Sequence, residues 1–127
     1  MGARREAGQA TVELVLVMPV LAAILLAVVQ LAVLMADQVR VVDAAREAAR
    51  TATVGGEASA ATAAAAADGL VADRLAVTVT RADGVVTATV RYRAPTNVPL
   101  VRAWSPAVLL TARTSMLDES PKVEQPP

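Results

Sequence analysis

The chain has 127 residues, a formal charge of zero and 55% hydrophobic residues, yet only 2% aromatic ones. That length holds one small domain, and its core has to be built from Ala, Val and Leu rather than rings. Balanced charge without a basic stripe or an aromatic stacking platform argues against a nucleic-acid binder. The absence of Cys and His removes zinc clusters and the ordinary Ser-His and Cys-His nucleophile pairs.

The apolar content is concentrated in "LVLVMPVLAAILLAVVQLAVLMA", residues Leu14–Ala36, 23 residues with no charge. As a helix rising about 1.5 Å per residue it reaches roughly 34 Å, enough to cross a hydrocarbon core of about 30 Å with some tilt. Pro19 removes one helix N–H and predicts a slight bend near the N-terminal end. Gln30 is the lone strongly polar side chain inside and needs a backbone carbonyl or a neighbouring helix as partner. The block is longer than the roughly 7–15 apolar residues of a removable signal, and bulky Leu34 occupies the place of a small residue before a cut after Ala36. A retained membrane span is therefore expected. Arg4 and Arg5 precede the block against Glu6, whereas Arg40, Arg46 and Arg50 after it are balanced by Asp37, Asp43 and Glu47. The positive-inside rule then puts the N-terminus in the cytoplasm and the bulk of the chain outside.

Beyond the span, "DQVRVVDAAREAARTATVGG" continues the helix. Arg40, Asp43, Arg46, Glu47 and Arg50 fall on one face at helical spacing, and Val42, Ala45, Ala48, Ala49 and Ala52 line the opposite one. Asp43–Arg46 and Glu47–Arg50 are expected to pair, each contributing about 0.2–0.5 kcal/mol. Gly55-Gly56 supplies a stop. The small-residue face packs on the protein's own sheet or, at another level of the stalk, on a neighbouring subunit. "EASAATAAAAADG" predicts a second, Ala-rich helix with Gly69 as C-cap.

The period then changes to two. Leu75, Val77 and Val79 alternate with Ala76, Thr78 and Thr80, Asp83-Gly84 forms a turn, and Val86, Ala88, Val90 and Tyr92 continue the buried face. "PTNVPLVRAWSP", with three prolines, predicts an irregular crossover, "AVLLTARTSM" a third strand, and "DESPKVEQPP" a disordered tail. A lone hairpin is marginal, so the third strand and the helix complete an α+β head. The expected plan is a leader over 1–8, a transmembrane helix over 9–36, an extracytoplasmic helix with a small three-stranded antiparallel head over 37–117, and a tail over 118–127.

Little chemistry is visible. Asp68, Asp73 and Asp83 stand at expected turns, where capping and solvation account for them, and the only Lys, Lys122, lies in the tail. Trp104, between two prolines, is a possible partner or membrane-interface contact or an ordinary packing residue. No enzyme, cofactor, metal, nucleic acid or small-molecule substrate is expected.

Glu13 sets the sharper question, because a carboxylate at the rim of a span has to be accounted for. It is accommodated at headgroup level by the helix dipole, or by an ammonium group. If the chain is cut after Gly8, Gln9 carries a new α-ammonium and Glu13 lies four residues on, one turn away on the same face. "GQATVE" after a short basic leader resembles the processing site of type IV prepilins, in which a membrane aspartyl peptidase cuts after Gly and Glu is the fifth mature residue. More narrowly, "GQATVELVLVMPVLAAILLAVVQLAVLM" followed by "DAAREAARTATVGG" is similar to TadE-like proteins of the tight-adherence (Flp pilus) system. The resemblance implies cleavage between Gly8 and Gln9 by a prepilin peptidase and a role for Glu13 in charge neutralisation and assembly. It further implies a single-pass protein of the bacterial cytoplasmic membrane that packs against pilin-like or Tad-system subunits. Gln9 stands where type IV pilins carry Phe. Major Flp pilins carry Tyr after the Glu and end soon after the helix, whereas here Leu14 follows Glu13 and about 90 residues follow the block. Those features point to a minor pseudopilin. The alternatives are a permanently anchored envelope protein that keeps residues 1–8 and binds an extracellular partner, and a secreted module freed by signal peptidase.

Overall fold

In the computed structural model, residues 3–54, 58–67, 69–96, 102–103 and 107–118 are described. The architecture is α+β. Helix α1 (Ala3–Thr53) is 51 residues long, about 76 Å at helical rise. Ala, Leu, Met, Arg and Glu supply most of its exposed and buried positions, and all are good helix formers. It passes Gly8 and Pro19 without interruption. Helix α2 (Ala58–Ala67) follows. Gly69, at φ 80°, donates its N–H to the Ala66 carbonyl at 3.2 Å, the left-handed ending expected of a C-terminal glycine. A single 3-10 turn (Ala72–Arg74) leads into β1 (Leu75–Ala82), β2 (Val85–Pro95) and β3 (Ala107–Leu117).

The strands form an antiparallel meander in the order β1-β2-β3. Ala82 pairs with Val85, leaving Asp83 and Gly84 as a two-residue loop. Their φ values of 54° and 73° are both positive, which is the type I′ geometry that matches strand twist. The register then fixes the faces. Leu75, Val77 and Val79 oppose Tyr92, Val90 and Ala88, which in turn oppose Leu110, Ala112 and Thr114. Val86, Ala88, Val90, Tyr92 and Ala94 are buried on this inner face, flanked by half-buried residues of both outer strands. The opposite face is half Thr and Arg and is largely exposed.

The inner face lies on α1, which contacts β2 and β3, while α2 packs on α1 and β1. On α1 the buried stripe runs Gln30, Asp37, Val41, Ala44, Ala45, Ala48, Ala49 and Ala52, with Leu34 half-buried against the same core. Steps of three and four make this one face of the helix. The Arg81 guanidinium donates to the Ala52 carbonyl at 2.6 Å, occupying one of the acceptors that the last turn of a helix leaves open. This contact places the β1–β2 turn at the far end of α1 and the other end of the sheet nearer the apolar segment.

Several expectations change in detail. The buried stripe takes Val41 and Ala44 and leaves Val42 half-buried, because contact extends along α1 to Gln30 and tilts the face by about one residue. The ion pairs on α1 are Asp37–Arg40 at 3.1 Å and Asp43–Arg46 at 3.2 Å; Glu47–Arg50 is not among those formed between the described residues. The segment joining β2 to β3 is no crossover, since those strands are antiparallel neighbours from Val85↔Leu117 to Pro95↔Ala107. Asp118 is held to the sheet, its N–H donating to the Gly84 carbonyl at 2.8 Å. Gly55-Gly56, Asp68 and the remaining tail, 119–127, lie outside the described residues.

Candidate functional site

From Gly8 to Val29 every residue of α1 is exposed, 22 in succession. Leu16, Leu25 and Val15 are each about two-thirds exposed, and the most apolar window has a mean hydropathy of 2.8 with none of it buried. An uncovered apolar surface of this extent is unfavourable in water, and its length matches a bilayer. It is the one stretch of described helix long and apolar enough to cross a membrane, and it suggests membrane anchoring.

Toward the N-terminal end of α1, Gly8, Gln9, Val12, Glu13 and Leu16 border one shallow groove. Spacings of three and four join Gly8 and Gln9 to Val12, Gln9 to Glu13, and both Val12 and Glu13 to Leu16, so the residues predicted to act at the processing site border the same groove. A Cβ added at Gly8 meets nothing within 4 Å. The chain's own packing therefore does not require glycine there, although glycine inside a helix costs about 1 kcal/mol relative to alanine. Because α1 begins at Ala3, Glu13 lies well past its first turn, and the dipole of the uncut helix, which acts over that turn only, does not account for the carboxylate. Among the described residues Glu13 makes no ion pair. A new helix start at Gln9 brings a positive end to within one turn of it.

Pro19 lies inside the uncovered segment, six residues beyond Glu13. Trp104 lies outside the described residues.

A second cluster was not apparent from sequence reasoning. Arg74, Arg91 and Arg93 line an open cleft of about 300 Å³ together with Asp73 and Leu109. The alternation Arg91-Tyr92-Arg93 signals that two guanidiniums share the outward face of a strand. Arg74 joins them only through the β1–β2 register, in which Leu75 opposes Tyr92.

No curated protein and no solved structure matches the chain. Residues 8–50, from the glycine of the groove into the alanine stripe, match the family model described as TadE-like protein, the family that the sequence resembles.

Proposed function

We propose that the chain is a minor pseudopilin-like structural component of a Flp/Tad-type pilus assembly or secretion system, processed after Gly8 by a prepilin peptidase. The observation that carries this is that the family match, over residues 8–50, takes in both the exposed apolar stretch of α1 and the buried alanine stripe that follows it on the same helix.

The steps follow from the residues. α1 anchors the chain in the bacterial cytoplasmic membrane with its N-terminus inside and the head outside. Gly8, which no internal contact demands, presents a backbone without side-chain obstruction to the peptidase, and hydrolysis of the Gly8–Gln9 amide leaves an α-ammonium on Gln9. That ammonium, or the one on an adjacent subunit, neutralises the Glu13 carboxylate and sets the axial register between neighbouring helices. The Leu, Val and Met surface from Val12 to Met35 then packs laterally on other pilin-like helices, where dispersion between close-fitting side chains is the main attraction in lipid. The head selects partners. The role is structural rather than catalytic, and it involves no cofactor, nucleic acid or small-molecule substrate.

The test is the N-terminus of the protein extracted from the membranes of its native host, by intact mass and N-terminal peptide mapping. A chain starting at Gln9, with that start abolished by Gly8→Val, is expected. An intact N-terminus while the host's pilus peptidase is active overturns the processing step and leaves a permanently anchored envelope protein.

A further inference from the structure

We propose that the membrane-proximal edge of the head binds the phosphates of anionic phospholipids through Arg74, Arg91 and Arg93. This rests on α1 spanning the membrane, but not on its processing or assembly.

The placement comes from two rulers fixed at one point. Arg81 bonds the Ala52 carbonyl and pairs with Val86 across the sheet. From Val86 to Arg93 a strand descends about 23 Å at roughly 3.3 Å per residue. The same distance down α1 from Ala52 is about 15 residues at 1.5 Å each, which ends at Asp37. Extended to Thr96, the strand reaches about 33 Å and the level of Gln30. Thr96 and Gln30, which this places at one level, are both buried, at 4% and 8% exposure.

The bilayer supplies the third ruler. A hydrocarbon core of about 30 Å takes about 20 helical residues, which Leu14–Val33 fill. The polar zone on the head side, about 5–7 Å deep, then falls at Leu34–Gln38, the level of Arg93. The arginine cleft therefore opens into the headgroup layer.

Its chemistry fits that layer. Three guanidiniums face one carboxylate, Asp73, in the cleft. The outward face of the sheet adds Arg113 and carries no carboxylate on any of the three strands. Leu109, the cross-strand partner of Arg93, is 60% exposed beside them. Guanidiniums bind phosphate oxygens in a bidentate fork, and an exposed leucine at their base meets the acyl-chain boundary rather than water. The distal end has the opposite balance: Arg81 is engaged with Ala52 and lies 3.9 Å from Asp118, and Asp83 occupies the turn.

The chain has no cysteine, so single cysteines report depth cleanly. Full-length Leu25→Cys, Ala107→Cys and Thr80→Cys variants carry a bimane label in nanodiscs of phosphatidylcholine with phosphatidylglycerol. Spin labels on the acyl chain are expected to quench position 25. Spin labels on the headgroup or on the acyl carbons nearest it are expected to quench 107 and leave 80 bright. Native mass spectrometry of the full chain released from these discs is expected to retain phosphatidylglycerol over phosphatidylcholine by about tenfold. The Arg74→Gln, Arg91→Gln, Arg93→Gln triple variant abolishes that preference, and Asp73→Asn, which removes the lone negative charge without touching the arginines, raises it. No quenching at 25 overturns the membrane span, and this proposal with it. Quenching at 25 but not at 107, or no preference for the anionic lipid, overturns the headgroup site alone. Displacement of the lipid by millimolar inorganic phosphate at matched ionic strength assigns the cleft to free phosphate and overturns the lipid.

Discussion

Ala48 tests whether the alanine stripe exists for the protein's own sheet. It is fully buried in α1, in the cluster that includes Ala61 and Ala65 of α2 and Ala88 and Val90 of β2. Ala48→Leu adds three carbons where α1 meets the rest of the head. If the space opened at no cost, burying them would stabilise the head by about 2 kcal/mol, at about 0.8 kcal/mol per carbon. A close-packed interface instead forces off-rotamer side chains and backbone shifts that cost about 1–3 kcal/mol or more. The neighbouring alanines of the stripe are themselves fully buried, so the added carbons have no space to fill and the second outcome is expected, a loss of about 2 kcal/mol. The assay is pulse proteolysis by trypsin of the full chain in detergent micelles across a urea series. Arg91, Arg93 and Arg113 lie within strands and become cleavable when the head opens. Ala63→Leu on the exposed side of α2 is the control, expected within about 0.5 kcal/mol of the parent. An unchanged or raised urea midpoint for Ala48→Leu would refute tight helix–sheet packing and assign the stripe to another partner.

Gly84→Ala is expected to lower head stability by about 1 kcal/mol, all of it backbone strain at φ 73°, since the added Cβ meets nothing within 4 Å; the same urea series reads it. Arg81→Ala removes the hydrogen bond to the Ala52 carbonyl and should cost about 1 kcal/mol, less than a fully buried charged donor because Arg81 is partly exposed. A double-mutant cycle with Asp118→Ala should show coupling below about 0.5 kcal/mol, as the pair is 3.9 Å apart. Gly8→Ala should leave the urea midpoint of the head unchanged while reducing the fraction of chains starting at Gln9; a shifted midpoint would mean that Gly8 matters to the fold. Glu13→Gln should leave membrane insertion intact and reduce incorporation into sedimentable assemblies in the native host. Equal incorporation would remove Glu13 from the assembly role.

The clearest elements were legible because their patterns are local. A period of two from Leu75 to Tyr92 around Asp83-Gly84 allows one hairpin register, and that register forms residue for residue. The uncharged block from Leu14 and the alanines from Ala45 to Ala52 likewise declare a helix with two different surroundings. What stayed hidden depends on relations between distant segments. That Val41 rather than Val42 is buried follows from how far along α1 the sheet reaches, which helical periodicity on one segment does not contain. The engagement of Ala52 by Arg81 joins residues 29 apart in sequence. The prolines between β2 and β3 suggested a crossover because Pro disfavours continued strand pairing, but Pro95 ends β2 opposite Ala107 and the chain returns beside the same strand. At the candidate site, Gly8, Gln9 and Glu13 were legible as a spacing on one helix, whereas the arginine cleft needs the β1–β2 and β2–β3 registers together.

α1 carries two kinds of surface whose residue sizes differ for a physical reason. Where the head packs, Ala44, Ala45, Ala48, Ala49 and Ala52 hold the side-chain layer thin, so a sheet and a second helix both approach the same turns of α1. Where the chain leaves α1 uncovered, Leu, Val, Ile and Met provide branched or long side chains that fill gaps between lipid tails or between neighbouring helices. The change from one regime to the other occurs between Gln30 and Val41, within about three turns. Gln30, Asp37 and Arg40 are the polar residues in that interval that the sheet covers or the ion pair engages. The interval of the change also contains the level, near Asp37, at which strand and helix rises place the arginine cleft.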